Sequence, residues 1–118
     1  MAIATAQGRE NLALAYGTQN APFASLHSAA PGTTGASELS TSGGSPAYSR
    51  KAVTWAAGTV DGTITATIVF DVPSGITVAG VGFWSAATGG TYIDGGTVTS
   101  QAFAAQGTYT LTATFTQS

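Results

Sequence analysis

The sequence predicts an all-β fold, a single antiparallel β-sandwich with a short N-terminal helix or arm. Three observations predict it. Two segments alternate apolar and polar residues with a period of two, turn signals recur at short spacing, and little of the chain carries a helical period. The 118 residues suffice for one domain with a real core, and no composition shift divides residues 1–118. Jelly-roll and immunoglobulin-like connectivities both fit the pattern.

The elements follow in chain order. Residues 1–20 are read as a helix or arm. "ATAQGRENLALAY", Ala4 to Tyr16, holds good helix formers, with Gly17 as a C-terminal stop, although Gly8 weakens it. An extended arm gripping a neighbour is the alternative. "PFASLHS" and "RKAVTW" read as short strands. Between them, residues 29–48 form a long Gly/Ser/Thr/Pro loop, of a length that marks functional or mobile segments. "TITATIVFDV" places Ile64, Ala66, Ile68, Phe70 and Val72 on one face, and Thr63, Thr65, Thr67, Val69 and Asp71 on the other. "TVAGVGFWS" sets Ala79, Val81 and Phe83 against Val78, Gly80, Gly82 and Trp84, with the glycines leaving room for close packing or a bend. "TYIDGGTV" reads as a strand, a tight Asp-Gly turn and a return strand. "TYTLTATFT" turns Tyr109, Leu111, Ala113 and Phe115 inward and its threonines outward, where a β-branched, water-tolerant side chain suits an exposed strand face. Pro73-Ser74-Gly75 and Thr88-Gly89-Gly90 are further turns.

Composition narrows the function. Only 7% of residues are charged, against roughly 25% in an ordinary soluble domain. Such a surface, with a net charge of −2, gives little repulsion between copies and suits a subunit packed against neighbours. Three basic residues cannot neutralise many phosphates, so nucleic acid is not an expected partner. No apolar run is long enough to span a membrane, no basic amphipathic stretch suits a membrane surface, and "MAIATAQGRE" lacks a signal-peptide pattern. There are no cysteines, so neither a disulfide framework nor a Cys-based metal site is expected.

Catalytic chemistry finds little support. His27 is the single histidine, and no Gly-x-Ser-x-Gly elbow accompanies it, so it reads as a strand-end residue bonded to the adjacent loop. Glu10, Glu38, Asp61, Asp71 and Asp94 form no metal-ligand or calcium-loop spacing, and Asp71 and Asp94 read as turn residues. The Gly pairs lack the Lys-Ser/Thr end of a phosphate loop. No catalytic, cofactor or metal residue is assigned, and no cofactor is expected. Among the aromatics, Trp55 and Phe103 belong to the core. Phe83 and Trp84 face opposite sides of their strand, so one is free for an interface. Tyr48 and Tyr92, beside turns, are with Trp84 the rings that would line a carbohydrate-binding face.

Four segments together carry a resemblance: "ASLHSAAPGTTGASELS", "GGSPAYSRKAVTW", "VGFWSAATGGTY" and "QGTYTLTATF". In order and combination they resemble a family of small virion proteins of tailed bacteriophages, common in phages of actinobacteria and labelled tail-fibre, minor tail or structural proteins. The similarity runs from about Ala24 to Phe115. The chain departs from it at the short, Gly-broken N-terminus and at Ala30, where the family often has Asp. The resemblance implies a non-enzymatic exterior subunit of the virion, assembled in the host bacterial cytoplasm. It would decorate or cement the capsid or form part of the tail or tail fibre. Its partners would be major capsid or tail proteins and copies of itself. A carbohydrate-binding module for a host-surface glycan is the alternative.

Arg50 and Lys51 are two of the three basic residues and stand side by side on a strand, so they face opposite sides and cannot form one patch. One is expected to pair with an acid, with Glu38 in the preceding loop as the candidate. Tyr48, Arg50, Lys51 and Trp84 are the candidate interface residues.

Overall fold

Two alternating strands set the frame. The structure is a computed structural model that describes residues 5–57 and 62–116. Seven strands occur among them: β1 (Phe23–His27), β2 (Lys51–Ala52), β3 (Ala56–Ala57), β4 (Thr63–Val72), β5 (Ile76–Trp84), β6 (Tyr92–Phe103) and β7 (Gly107–Thr116). One sheet has the order β2-β1-β5-β6 and the other β3-β4-β7, with every pair antiparallel. The chain changes sheet at the Pro73-Ser74-Gly75 turn, where Gly75 takes a φ of +79° that only glycine adopts freely, and changes back after β6. The two sheets form the expected sandwich.

The period-two reading holds best in β4 and β7, which pair without a break from Thr63↔Thr116 to Val72↔Gly107. Ile64, Ala66, Ile68, Phe70 and Val72 are buried, as are Leu111 and Ala113, while Thr65, Thr67, Thr110, Thr112 and Thr114 are exposed. Trp55, Phe83 and Phe115 form the aromatic centre. The Trp55 and Phe115 rings stack at 4.5 Å, and Phe83 meets Phe115 edge-on at 5.1 Å. The Trp55 indole is satisfied by the Ala21 carbonyl at 2.9 Å.

The N-terminal segment is helical from Ala6 to Asn20, and residues 1–4 of it lie outside the described residues. Helix α1 spans Ala6–Ala15, and the Thr5 hydroxyl caps it by accepting from the Gly8 amide at 3.0 Å. Gly17 is not its stop. The helix widens into a π-helical turn over Tyr16–Asn20, and Gly17 sits inside it, buried. A Cβ there would lie 2.7 Å from Ile64 Cδ1 and 2.8 Å from the Trp55 ring. The glycine is required by close approach to the core rather than by a left-handed cap. The helix packs on β3 and β4, and the buried Glu10 carboxylate accepts from the Gly62 amide at 2.9 Å.

Four further readings change. Asp94-Gly95-Gly96 makes no turn, because Tyr92–Phe103 is one continuous strand. Gly95 lies on it against Tyr92 Oη and the Val81 carbonyl, where no side chain fits. Asp71 and Asp94 are therefore strand residues rather than turn residues. "RKAVTW" is not one strand: Lys51–Ala52 pairs with β1, and Ala56–Ala57, beyond it, pairs with β4 in the other sheet. In β5 a register shift between Val78 and Gly80 breaks the alternation, so Val78 joins Val81 and Phe83 in the core.

The long loop covers the outer face of the four-stranded sheet. Ser28 and Leu39 bond back through Ser28 N–H to Ser37 O (2.9 Å) and Leu39 N–H to Leu26 O (3.1 Å). Pro31 is fully buried on that face. A Cβ on Gly80 would lie 2.7 Å from the Ala29 carbonyl. Glycines on β5 thus let a backbone lie directly on the sheet. β1 is consequently buried on both faces, with Ala24 and Leu26 toward the sandwich core and Ser25 and His27 beneath the loop.

Candidate functional site

The loop brings most of the chain's polar chemistry to one place. Arg50 stands at its end, just before β2, and its guanidinium forks onto Glu38: Nε donates to Oε2 at 2.9 Å and Nη2 to Oε1 at 2.8 Å. Nη1 donates to the carbonyls of Ala86 (3.1 Å) and Gly89 (2.8 Å) in the β5–β6 loop. The guanidinium carbon lies 3.7 Å from the Trp84 ring centroid, a cation–π contact. A planar fork matched to carboxylate and aromatic face is what arginine offers and lysine does not.

Tyr48 completes this cluster. Its hydroxyl donates to Glu38 Oε2 at 2.8 Å and accepts from the Leu26 amide at 3.0 Å. Burial first, and then the Glu38 charge, push the phenol well above the ordinary tyrosine range, against the Leu26 bond. Burial also raises Glu38, but the bonds from Arg50 and Tyr48 and the arginine charge outweigh it and hold the carboxyl below its ordinary value.

A second relay runs beneath. The Trp84 indole donates to Ser25 Oγ at 2.9 Å, Ser25 Oγ lies 2.7 Å from His27 Nε2, and His27 Nδ1 lies 2.7 Å from the Ala36 carbonyl. A carbonyl only accepts, so Nδ1 carries the proton, Nε2 accepts from the serine, and every group is satisfied in one direction. Burial lowers the histidine, against the Ala36 bond and the Glu38 charge and aided by the Arg50 charge. Ser25 and His27 have the bond of a nucleophile and its base. Both are 0% exposed, and a carbonyl stands where a triad would have a carboxylate, so no substrate can reach the hydroxyl in this structure.

Of the four candidate interface residues, the fold brings Tyr48, Arg50 and Trp84 together and sends Lys51 elsewhere. Lys51 meets Asp71 at 3.4 Å, with about a third of each side chain exposed. Tyr48 is 1% exposed. A cleft of about 680 Å³ opens beside Glu38 and Arg50, rimmed by Ser40, Thr41, Ser49 and Thr88. The three rings considered for a sugar platform are not coplanar: Tyr48 is buried, Arg50 lies over Trp84, and Trp84 meets Tyr92 edge-on at 5.2 Å. Among the described residues, no three His, Asp or Glu side chains are placed to hold a metal, and no helix is long and apolar enough to cross a membrane. Ser25 was not singled out in the sequence. Its spacing of two from His27 on a strand was the available signal, since i and i+2 share a face.

The network ties two loops to one sheet. Over residues 11–116 the chain matches the family described as podophage GP4 fiber I protein gp80. It belongs to that family of phage fibre proteins. Neither a curated protein nor a solved structure matches the chain. The family match covers α1 from its middle, both loops and all seven strands. The bacteriophage resemblance is upheld at the level of a fibre family. The family description names a podophage, not a group of bacterial hosts.

Proposed function

We propose that this chain is a non-catalytic structural subunit of a phage tail fibre, built into the virion against other virion proteins after synthesis in the host cytoplasm. The carrying observation is the match to a fibre-protein family over nearly the whole fold. Three structural features support it. The chain is nearly uncharged, the Ser25–His27 pair is sealed, and Arg50 is committed to internal partners. Of the four candidate interface residues, Lys51 and Trp84 have surface to offer a neighbour, while Tyr48 and Arg50 hold the loops. The fibre branch is the one the family description favours over capsid decoration. The test is removal of the gene from its phage, with complementation. Particles with full heads and missing or shortened fibres are expected. Complete fibres without this chain would refute the proposal.

A further inference from the structure

The two flanks of the sandwich are unequal. On one side the edge strands are β2 and β3, each two residues long, with little ladder to offer. On the other side the edges are β6 and β7, of 12 and 10 residues. Both border one groove of about 320 Å³, lined in part by Val98, Leu111 and Phe115 and also by Asp94. The pairing of β6 with β5 is interrupted by two register shifts, and β6 carries Asp94. β7 has no such break, no charge and no proline along Gly107–Thr116, and among the described residues it bonds to β4 alone. Soluble proteins protect long edge strands with charge, proline, bulges or covering segments. β7 has none of the first three and keeps a free ladder of N–H and C=O groups.

We infer that β7 of one copy pairs antiparallel with β7 of a second copy, continuing the three-stranded sheet across both molecules. The inference rests on reading the chain as an assembly subunit and names a partner and a surface for it. A free ladder is completed by a strand. An uncharged strand can oppose itself in any register without like charges meeting. A two-fold axis normal to the sheets also brings the two β6 edges face to face and covers the groove of each copy. Ten residues at ~3.4 Å give an edge about 34 Å long, and two sheets packed ~10 Å apart make a flank that covers roughly 350–500 Å² per copy. The total of roughly 700–1,000 Å² lies at the weak, transient end of specific contacts. Directly opposed residues share a face, so threonine must oppose threonine. Two central registers satisfy this: Leu111 against its own copy, or Thr112 against its own copy.

The test is sedimentation velocity from about 1 to 500 μM on the whole chain, with hydrogen exchange read over residues 107–116. The disrupting variant is Thr110→Lys/Thr112→Lys/Thr114→Lys. These side chains are exposed, so a monomer tolerates them, whereas the paired strands would set lysines against lysines. The control, Ala52→Lys/Ala57→Lys, loads the opposite flank. The expected result is a concentration-dependent dimer, weakened at least tenfold by the β7 lysines and unchanged by the control, with β7 amides slowed as the dimer forms. A monomer throughout, or a dimer that ignores the β7 lysines or yields to the control, overturns the pairing. A chain found in the fibre but monomeric with fast β7 exchange refutes this contact and leaves the fibre role standing. A β7 dimer absent from the fibre does the reverse.

Discussion

Replacing Arg50 with alanine should cost about 3 kcal/mol of stability, whereas replacing its neighbour Lys51 should cost under about 1 kcal/mol. The difference comes from the geometry. The Arg50 side chain is 9% exposed, and its partner Glu38 is 21% exposed. Removing the guanidinium strips two charge-assisted bonds from a largely desolvated carboxylate, leaves the Ala86 and Gly89 carbonyls to water and uncovers Trp84. Breaking a buried pair from one side costs about 3–5 kcal/mol, and the lower end applies because Glu38 keeps Tyr48 and some water. Lys51 and Asp71 are each about a third exposed, at 3.4 Å, where water and salt screen the pair. In urea, with a slope of about 1–1.5 kcal/mol per M, the Arg50→Ala midpoint should fall by about 2–3 M and the Lys51→Ala midpoint by well under 1 M. Arg50→Lys should recover less than half of the loss, since an ammonium cannot span the carboxylate and both carbonyls. Equal midpoints for Arg50→Ala and Lys51→Ala would refute the assignment of Arg50 as the tie between the loops.

Three further outcomes are expected. Tyr48→Phe removes the hydroxyl shared by the Leu26 amide and Glu38 and should cost about 2 kcal/mol by the same urea measurement. Gly17→Ala should lower the melting temperature despite alanine's better helix propensity, because about 1–3 kcal/mol of overpacking against Ile64 and Trp55 exceeds a gain of about 1 kcal/mol. Stability should decline with acid in two stages. His27 is held below 6.5 in the folded chain, so as pH falls below that value the unfolded chain takes up a proton that the native state refuses. Glu38 is held below 4.5, so its contribution is present above that pH and lost as pH falls through the native value. Urea midpoints from pH 8 to pH 3 should be flat above about 7, and His27→Asn should remove the first stage alone.

How much of this was legible depended on whether a residue's role was local. The β4 and β7 faces were readable because alternation is a property of each strand alone. Arg50 and Lys51 were separable for the same reason, and Glu38 could be named as a partner because it lies in the loop that leads back to Arg50. The glycines misled. Asp94-Gly95-Gly96 has turn chemistry, but Gly95 is selected by what lies against it, the Val81 carbonyl and Tyr92. Gly17 looks like a helix stop, yet Ile64 and Trp55 require it. Close approach leaves the same letter in a sequence as a turn. The loop's place over β1 and β5 was equally invisible, since its anchors are backbone bonds and a buried Pro31 rather than a pattern. The Trp84–Ser25–His27 relay joins residues 59 apart and only exists once β1 pairs with β5.

Cryo-electron microscopy of the virion that carries this chain, with density assigned to this sequence, tests the fibre role directly. The two-sheet fold is expected within the fibre, in multiple copies. Density confined to the capsid surface, with the fibres built wholly of other chains, would contradict it.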